Sequence, residues 1–190
     1  MQYHSIVKFT RPELTQGVSI LSPASGKLKT IEQLDWLSDA EQFSISQLGQ
    51  GVAILVSSQT VLSPIKGKII EWTPSHGKIV LQANNKLKFL IQLPVSYSRQ
   101  HGLGITPHVK EGDIVNQLQP LMTFDIYKMQ LIAKPIVLFF MLLDHKQFKS
   151  IDVFHRHVEA GQDTIFSLTP RKKISADVST TKTEHNKSTP

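Results

Sequence analysis

The strongest constraint on the fold is an internal repeat. The segment Leu21–Leu28 (Leu-Ser-Pro-Ala-Ser-Gly-Lys-Leu) recurs 41 positions later as Leu62–Ile69 (Leu-Ser-Pro-Ile-Lys-Gly-Lys-Ile). Proline fixes the first dihedral angle of a turn, glycine permits a positive φ, and the flanking aliphatic residues favour strands. The repeat therefore predicts a duplicated, pseudo-symmetric β architecture in which two similar turns lead into two similar strands.

Other short segments bounded by turn residues also predict strands. Val52–Val56 is an apolar run closed by two serines, and Leu87–Ile91 follows the turn residues Asn84 and Asn85 with an alternating pattern. Further strands are predicted at Ile79–Leu81, Leu121–Phe124 and Ile165–Leu168. The helical candidates are Ile31–Gln42 and Asp144–Ile151. We therefore predict an all-β fold, an antiparallel sandwich or a barrel-like arrangement, with one or two short helices.

Composition limits the function classes. The 190 residues carry 21 Lys and Arg against 15 Asp and Glu, and 40% are hydrophobic, which is enough for one folded domain. The lysines occur singly between apolar residues, so nucleic-acid binding is not expected. The absence of cysteine excludes a disulfide framework and a thiolate site. The longest apolar run, Ile136–Leu143, is too short to insert into a membrane, and no signal-peptide pattern opens the chain, so we expect a cytoplasmic protein.

The chain divides into three predicted parts. Residues 1–17 are polar and mixed, and are interpreted as an N-terminal extension. Residues 18–169 contain the predicted strands and form the domain. Residues 170–190 are a basic tail rich in Ser, Thr and Lys, with too few large apolar side chains to fold.

A series of motifs, in order and spacing, resembles the glucose-type (type 1) enzyme IIA domain of the bacterial phosphoenolpyruvate-dependent sugar phosphotransferase system. The motifs are Ser-Pro-x-x-Gly at 22–26, Gly49–Ile54, the second Ser-Pro-x-x-Gly at 63–67, Gly102–Gly104, Val109–Val115, Phe124-Asp125 and Val158–Asp163. The resemblance covers about residues 18–169. It implies an antiparallel β-sandwich and a role in sugar transport.

The resemblance also implies two site positions. Members of this family carry a phosphoryl group on histidine, taken from the phosphocarrier HPr and passed to a sugar permease. His76 stands at the phosphate-stabilising position after the second repeat, but Gln92 stands where the acceptor histidine is expected. Pro94 replaces an expected glycine, and an expected acidic residue is missing near Val95-Ser96. An imidazole nitrogen can attack phosphorus, whereas an amide nitrogen delocalises its lone pair. We therefore expect a degenerate, regulatory or partner-binding member that needs no cofactor. Whether it is an enzyme stays open at this point, and the missing acceptor histidine favours a non-enzyme.

The family binds its partners through a shallow apolar face around the histidines. The resemblance implies that this face is built from apolar residues ringed by lysines: Val52, Ile54, Phe89, Ile91 and Leu93, with Lys68, Lys78 and Lys88. The expected partners are proteins, HPr or a sugar permease domain.

Three other interpretations concern one or two side chains each. The first is an active phosphocarrier that uses His76 as its acceptor. The second is a biotinyl or lipoyl carrier, because Lys128-Met129 follows the Gly112-Asp113 turn at the spacing of a modified hairpin lysine, although Tyr127 stands where methionine is expected. An exposed loop lysine explains Lys128 more simply. The third is a metal pair at His155-x-His157, but no third ligand is apparent, so no metal site is expected.

Overall fold

The computed structural model describes residues 5–10, 17–98, 101–132 and 135–171. Almost all of the predicted tail, residues 172–190, lies outside these ranges, and the proposed boundaries of the domain stay predictions.

Within the described ranges the chain forms fifteen strands and three α-helices. The strands are β1 (Val7–Phe9), β2 (Val18–Leu21), β3 (Gly26–Lys29), β4 (Gln50–Val56), β5 (Thr60–Leu62), β6 (Gly67–Thr73), β7 (Lys78–Ala83), β8 (Lys88–Gln92), β9 (Ile105–Pro107), β10 (Ile114–Val115), β11 (Pro120–Phe124), β12 (Val137–Leu142), β13 (Phe148–Val153), β14 (His157–Val158) and β15 (Thr164–Pro170). The helices are α1 (Asp39–Leu48), α2 (Val95–Ser98) and α3 (Ile126–Ile132).

The strands form three sheets. The largest has the order β10-β6-β7-β8-β12-β4-β3-β14, a second has the order β1-β13-β15-β2, and a third has the order β5-β11-β9. The pairings are antiparallel except for β1 with β13. The ring of Phe140 on β12 stacks on Phe89 of β8 and on Phe166 of β15, so the core lies between the two larger sheets. The predicted all-β sandwich is confirmed.

The two halves of the repeat have the same local structure. The Ser22 hydroxyl donates to the Ala24 carbonyl at 2.7 Å, and the Ser63 hydroxyl donates to the Ile65 carbonyl at the same distance. Strands β3 and β6 both begin at the glycine of the repeat. Each then pairs through that glycine and the following lysine with a two-residue strand, β14 or β10. The predicted duplication is therefore confirmed at the level of individual hydrogen bonds.

Both helix predictions need correction. Instead of one helix over 31–42, the chain forms a 3-10 turn at Ile31–Gln33 and then α1, which begins after Ser38. Ser38 and Glu41 form a capping box, and this sets the start of the helix. The second predicted helix, over 144–151, is a short 3-10 turn followed by β13. β13 lies between β1 and β15, and these pairings outweigh a weak helical pattern.

Residues Val7–Phe9 of the predicted extension form β1, which pairs with β13.

Candidate functional site

The largest sheet has two differently covered faces. On β8, Phe89 and Ile91 belong to the core between the sheets. Leu90, one position out of phase, belongs to a second cluster on the outer face. Because side chains alternate along a strand, Gln92 projects to the outer face with Leu90. The segment that contains Leu34 and α1 covers this outer face.

This alternation corrects the apolar docking face that we expected. All five of its apolar members are in the core with at most 1% of their surface exposed: Val52, Ile54, Phe89, Ile91 and Leu93. Side chains this buried cannot meet a partner. The four that lie on strands occupy the inner face of the sheet, whereas the candidate site lies on the outer face, one residue out of phase. Leu93 follows β8 and also lines the cavity beside Gln92.

Gln92 is the last residue of β8 and is half-buried. On one side its register partner is Phe139 of β12. On the other side, Ile79 lies opposite Ile91, so the next position in the register brings Lys78 beside Gln92. The Gln92 carboxamide makes no hydrogen bond within the part of the chain that the structure describes.

A cavity of about 180 Å³ separates α1 from this end of β8, and Gln92 contributes to its wall. The helical side of the cavity was not predicted from the sequence, because the predicted helix ended at Gln42. The signal was present in the sequence: Ser38-x-x-Glu41 is a capping-box pattern that starts a helix.

His76 lies in the 3-10 turn Pro74–His76 that connects β6 with β7. Its imidazole is exposed, with Nδ1 3.2 Å from the Ser75 hydroxyl. The next residue, Gly77, has φ +53, and a Cβ there would lie 2.6 Å from a methyl carbon of Leu93. The turn therefore packs against the residue that follows Gln92, and both predicted site residues lie at the same end of the sheet.

Helix α2 supports this end of the sheet. It follows Gln92 in the chain and packs against the turn Pro74–His76. Its Tyr97 is buried in the main core, and desolvation raises the pKa of the phenol to about 12. The position of the His76 turn is thus determined by the core on one side and by α2 on the other.

The predicted lysines lie on the outer face. The register places Gln82 of β7 between Lys68 and Lys88, which puts these two lysines on one face. The Lys78 ammonium pairs with the Glu71 carboxylate at 2.6 Å. All three lysines share the face of Gln92, at different distances along the strands.

Comparisons with known proteins identify the family. The family model of the phosphoenolpyruvate-dependent sugar phosphotransferase system, EIIA 1, matches residues 18–148. The chain belongs to this EIIA family. It is 25% identical over 158 residues to a Staphylococcus aureus "PTS system glucose-specific EIIA component", covering 83% of this chain and 93% of that one. It is 29% identical over 109 residues to the component of the same name from Oceanobacillus iheyensis, and spans 64% of that protein's length and 57% of its own.

The fold is also that of a solved EIIA structure. "Glucose permease IIA from Mycoplasma capricolum" superimposes with a TM-score of 0.67 at 19% identity, covering 80% of this chain and 96% of that one. No helix of this EIIA member, within the described ranges, is long and apolar enough to span a membrane.

The remaining side-chain candidates lie elsewhere in this EIIA member. Lys128 is in the first turn of α3, and its ammonium lies 3.2 Å from the Asp125 carboxylate. The structure thus places it on a helix rather than in the hairpin that carrier domains use. His157 is in β14 and His155 precedes it. Among the described residues no group of three His, Asp or Glu side chains is arranged to hold a metal ion.

Proposed function

We propose that this EIIA member binds other components of the sugar phosphotransferase system without carrying a phosphoryl group itself. The observation that supports this is Gln92. It ends β8 on the outer face, at the position that the family resemblance gives to the acceptor histidine, and beside the turn that holds His76.

The side chain of Gln92 cannot accept a phosphoryl group, for a chemical reason. A phosphoryl acceptor needs a nitrogen with a lone pair that can attack phosphorus, and a neutral imidazole has one. The lone pair of a carboxamide nitrogen is delocalised into the carbonyl, so Gln92 is not a nucleophile. His76 retains the ability to donate a hydrogen bond to a phosphate, which suits a supporting role.

The partners of this function are HPr or a sugar permease domain. Lys68, Lys78 and Lys88 share the outer face with Gln92, and cationic side chains around a docking surface favour an acidic partner surface. The proposed partner surface is therefore the lysine-bearing part of the outer face, and not the buried apolar residues that were expected from the sequence.

The test is the intact mass of the protein after incubation with phosphoenolpyruvate, enzyme I and HPr. We expect no gain in mass, while a glucose-specific EIIA relative gains one phosphoryl group in the same mixture. Gln92→His is expected to become phosphorylated. Gln82→His, on the same face of the neighbouring strand, is the matched control and is expected to stay unmodified.

Two outcomes contradict the proposal. Phosphorylation of the unchanged protein at His76, located by fragmentation, makes the chain an active carrier. Failure of Gln92→His to gain mass removes the assignment of Gln92 to the acceptor position. Calorimetry with HPr and with a permease domain tests the binding role directly, and absence of binding to both contradicts it.

A further inference from the structure

We propose that the cavity between α1 and the end of β8 binds a small neutral molecule, one ring in size, that carries a single carboxamide or hydroxyl group. This inference requires no phosphoryl transfer, so it stands or fails separately from the proposed function.

Both walls of the cavity are mainly apolar. Helix α1 and the residue before its cap contribute Leu37, Ala40 and Ile45, and the sheet side contributes Leu93, Pro94 and Phe139. The volume is about 180 Å³. An apolar cavity of about 150 Å³ holds one benzene ring, so a single ring with one substituent matches this space.

The polar groups of the cavity indicate which polar group the ligand carries. The Ser44 hydroxyl already donates to the Ala40 carbonyl at 2.8 Å. The Glu41 carboxylate accepts from the backbone N–H and the hydroxyl of Ser38, at 3.1 and 2.8 Å. The Gln92 carboxamide makes no hydrogen bond within the described residues, and it can both donate and accept. It therefore pairs best with one group that does the same, such as another carboxamide or a hydroxyl.

The same lining excludes other ligand classes. The described lining contains no Lys, Arg or His, and Glu41 adds a carboxylate. Lys78, beside Gln92 in the register, is already paired with the Glu71 carboxylate. An anion in the cavity would therefore lose its water without gaining an unpaired counter-charge. A sugar carries several hydroxyl groups, and most of them would be buried here without partners. The site therefore does not suit a sugar, a sugar phosphate or a carboxylate.

The ligand can enter without unfolding of the core. Ala40 and Ser44 line the cavity and are exposed, so its mouth opens on the α1 side. No residue of α1 is buried. Small displacements of this helix therefore widen the entrance at little cost to the main core.

The experiment is a titration of the isotopically labelled full chain with benzamide, followed by amide chemical shifts in NMR spectra. We expect saturable shifts confined to α1, to residues 92–95 and to Phe139, with a dissociation constant on the order of 1 mM. Benzoate, which has the same shape and a negative charge, is expected to bind about tenfold more weakly. Gln92→Leu is expected to weaken benzamide binding about tenfold through the lost hydrogen bonds.

A pair of variants separates cavity binding from surface adsorption. Ala40→Leu fills the mouth from an exposed helix position and is expected to abolish the shifts, whereas Gln47→Leu, also exposed on α1 but outside the lining, leaves them unchanged. Absence of saturable shifts overturns the proposal. So do shifts that survive Ala40→Leu or lie outside the cavity, and equal binding of benzoate and benzamide.

Discussion

Asp125 illustrates how local hydrogen bonding sets the charge state of an exposed side chain. One of its carboxylate oxygens accepts from the Lys128 backbone N–H at 3.2 Å, and the other lies 3.2 Å from the Lys128 ammonium. These contacts lower the pKa of the Asp125 carboxyl, and the backbone hydrogen bond is the largest cause. Asp125 therefore caps α3 in its ionised form.

The first prediction concerns this carboxyl. Because its pKa is lower in the folded state, its contribution to stability is complete above the ordinary pKa of aspartate, about 3.9, and is lost as the pH falls through the folded value. An NMR titration of the Asp125 side chain is expected to give a midpoint below 3.9. In Lys128→Gln the Asp125 midpoint is expected to rise only part of the way toward 3.9, because the backbone N–H of residue 128 still donates to the carboxylate. A full return to the ordinary value would show that the ammonium, and not the backbone, is the main cause.

At the scale of elements, α1 differs from the core strands because it packs on the sheet without burying any of its own residues. None of its residues is buried, and Ile45 only partly covers the outer cluster. Its start depends on the capping box, in which Ser38 accepts from the Glu41 N–H and Glu41 accepts from the Ser38 N–H. The helix that covers Gln92 is therefore an element of low local stability.

The second prediction follows from that cap. Ser38→Ala is expected to destabilise α1 by about 1 kcal/mol, since one helix donor loses its partner. The loss is local, so amide hydrogen exchange accelerates in α1 and stays unchanged in β12. Ser46→Ala on the same helix removes a hydroxyl that bonds the Phe43 carbonyl and serves as the control, with no acceleration expected. Equal acceleration in β12 would show that α1 unfolds only together with the core.

At the scale of the whole molecule, one aromatic stack joins the two larger sheets. The ring of Phe140 lies 5.0 Å from that of Phe166 and 5.7 Å from that of Phe89, and all three side chains are fully buried. Phe140 belongs to the large sheet and Phe166 to the four-stranded sheet. The stack therefore couples the stability of both layers.

The third prediction tests this coupling. Phe140→Ala is expected to reduce the free energy of unfolding by about 3–5 kcal/mol, through lost burial and the cavity that remains. Phe43→Ala is the control, because 58% of that side chain is exposed, and it is expected to change stability by less than about 0.5 kcal/mol. Urea denaturation followed by circular dichroism measures both. A small effect of Phe140→Ala would mean that the sheets repack independently of the stack.

Much of the fold could be predicted from local sequence because its cause is local. The Ser-Pro-x-x-Gly repeat determines two equivalent turns through the dihedral preferences of proline and glycine and through a serine hydroxyl that bonds two residues on. The apolar runs determine the strands, and the family motifs led to the right family over residues 18–148. The assignment of Gln92 to the acceptor position rests on the family resemblance along β8 and stays a prediction.

Only the tertiary structure decided which face of the large sheet packs against the main core and which face is covered by α1. In a sheet buried on both faces, apolar residues stand at consecutive positions, so Phe89, Leu90 and Ile91 do not reveal which of them faces the main core. A one-residue change of phase exchanges the two faces, and this is why the expected docking residues are in the core. The position of α1 over Gln92 also depends on contacts between distant segments, because no local pattern specifies where a helix packs.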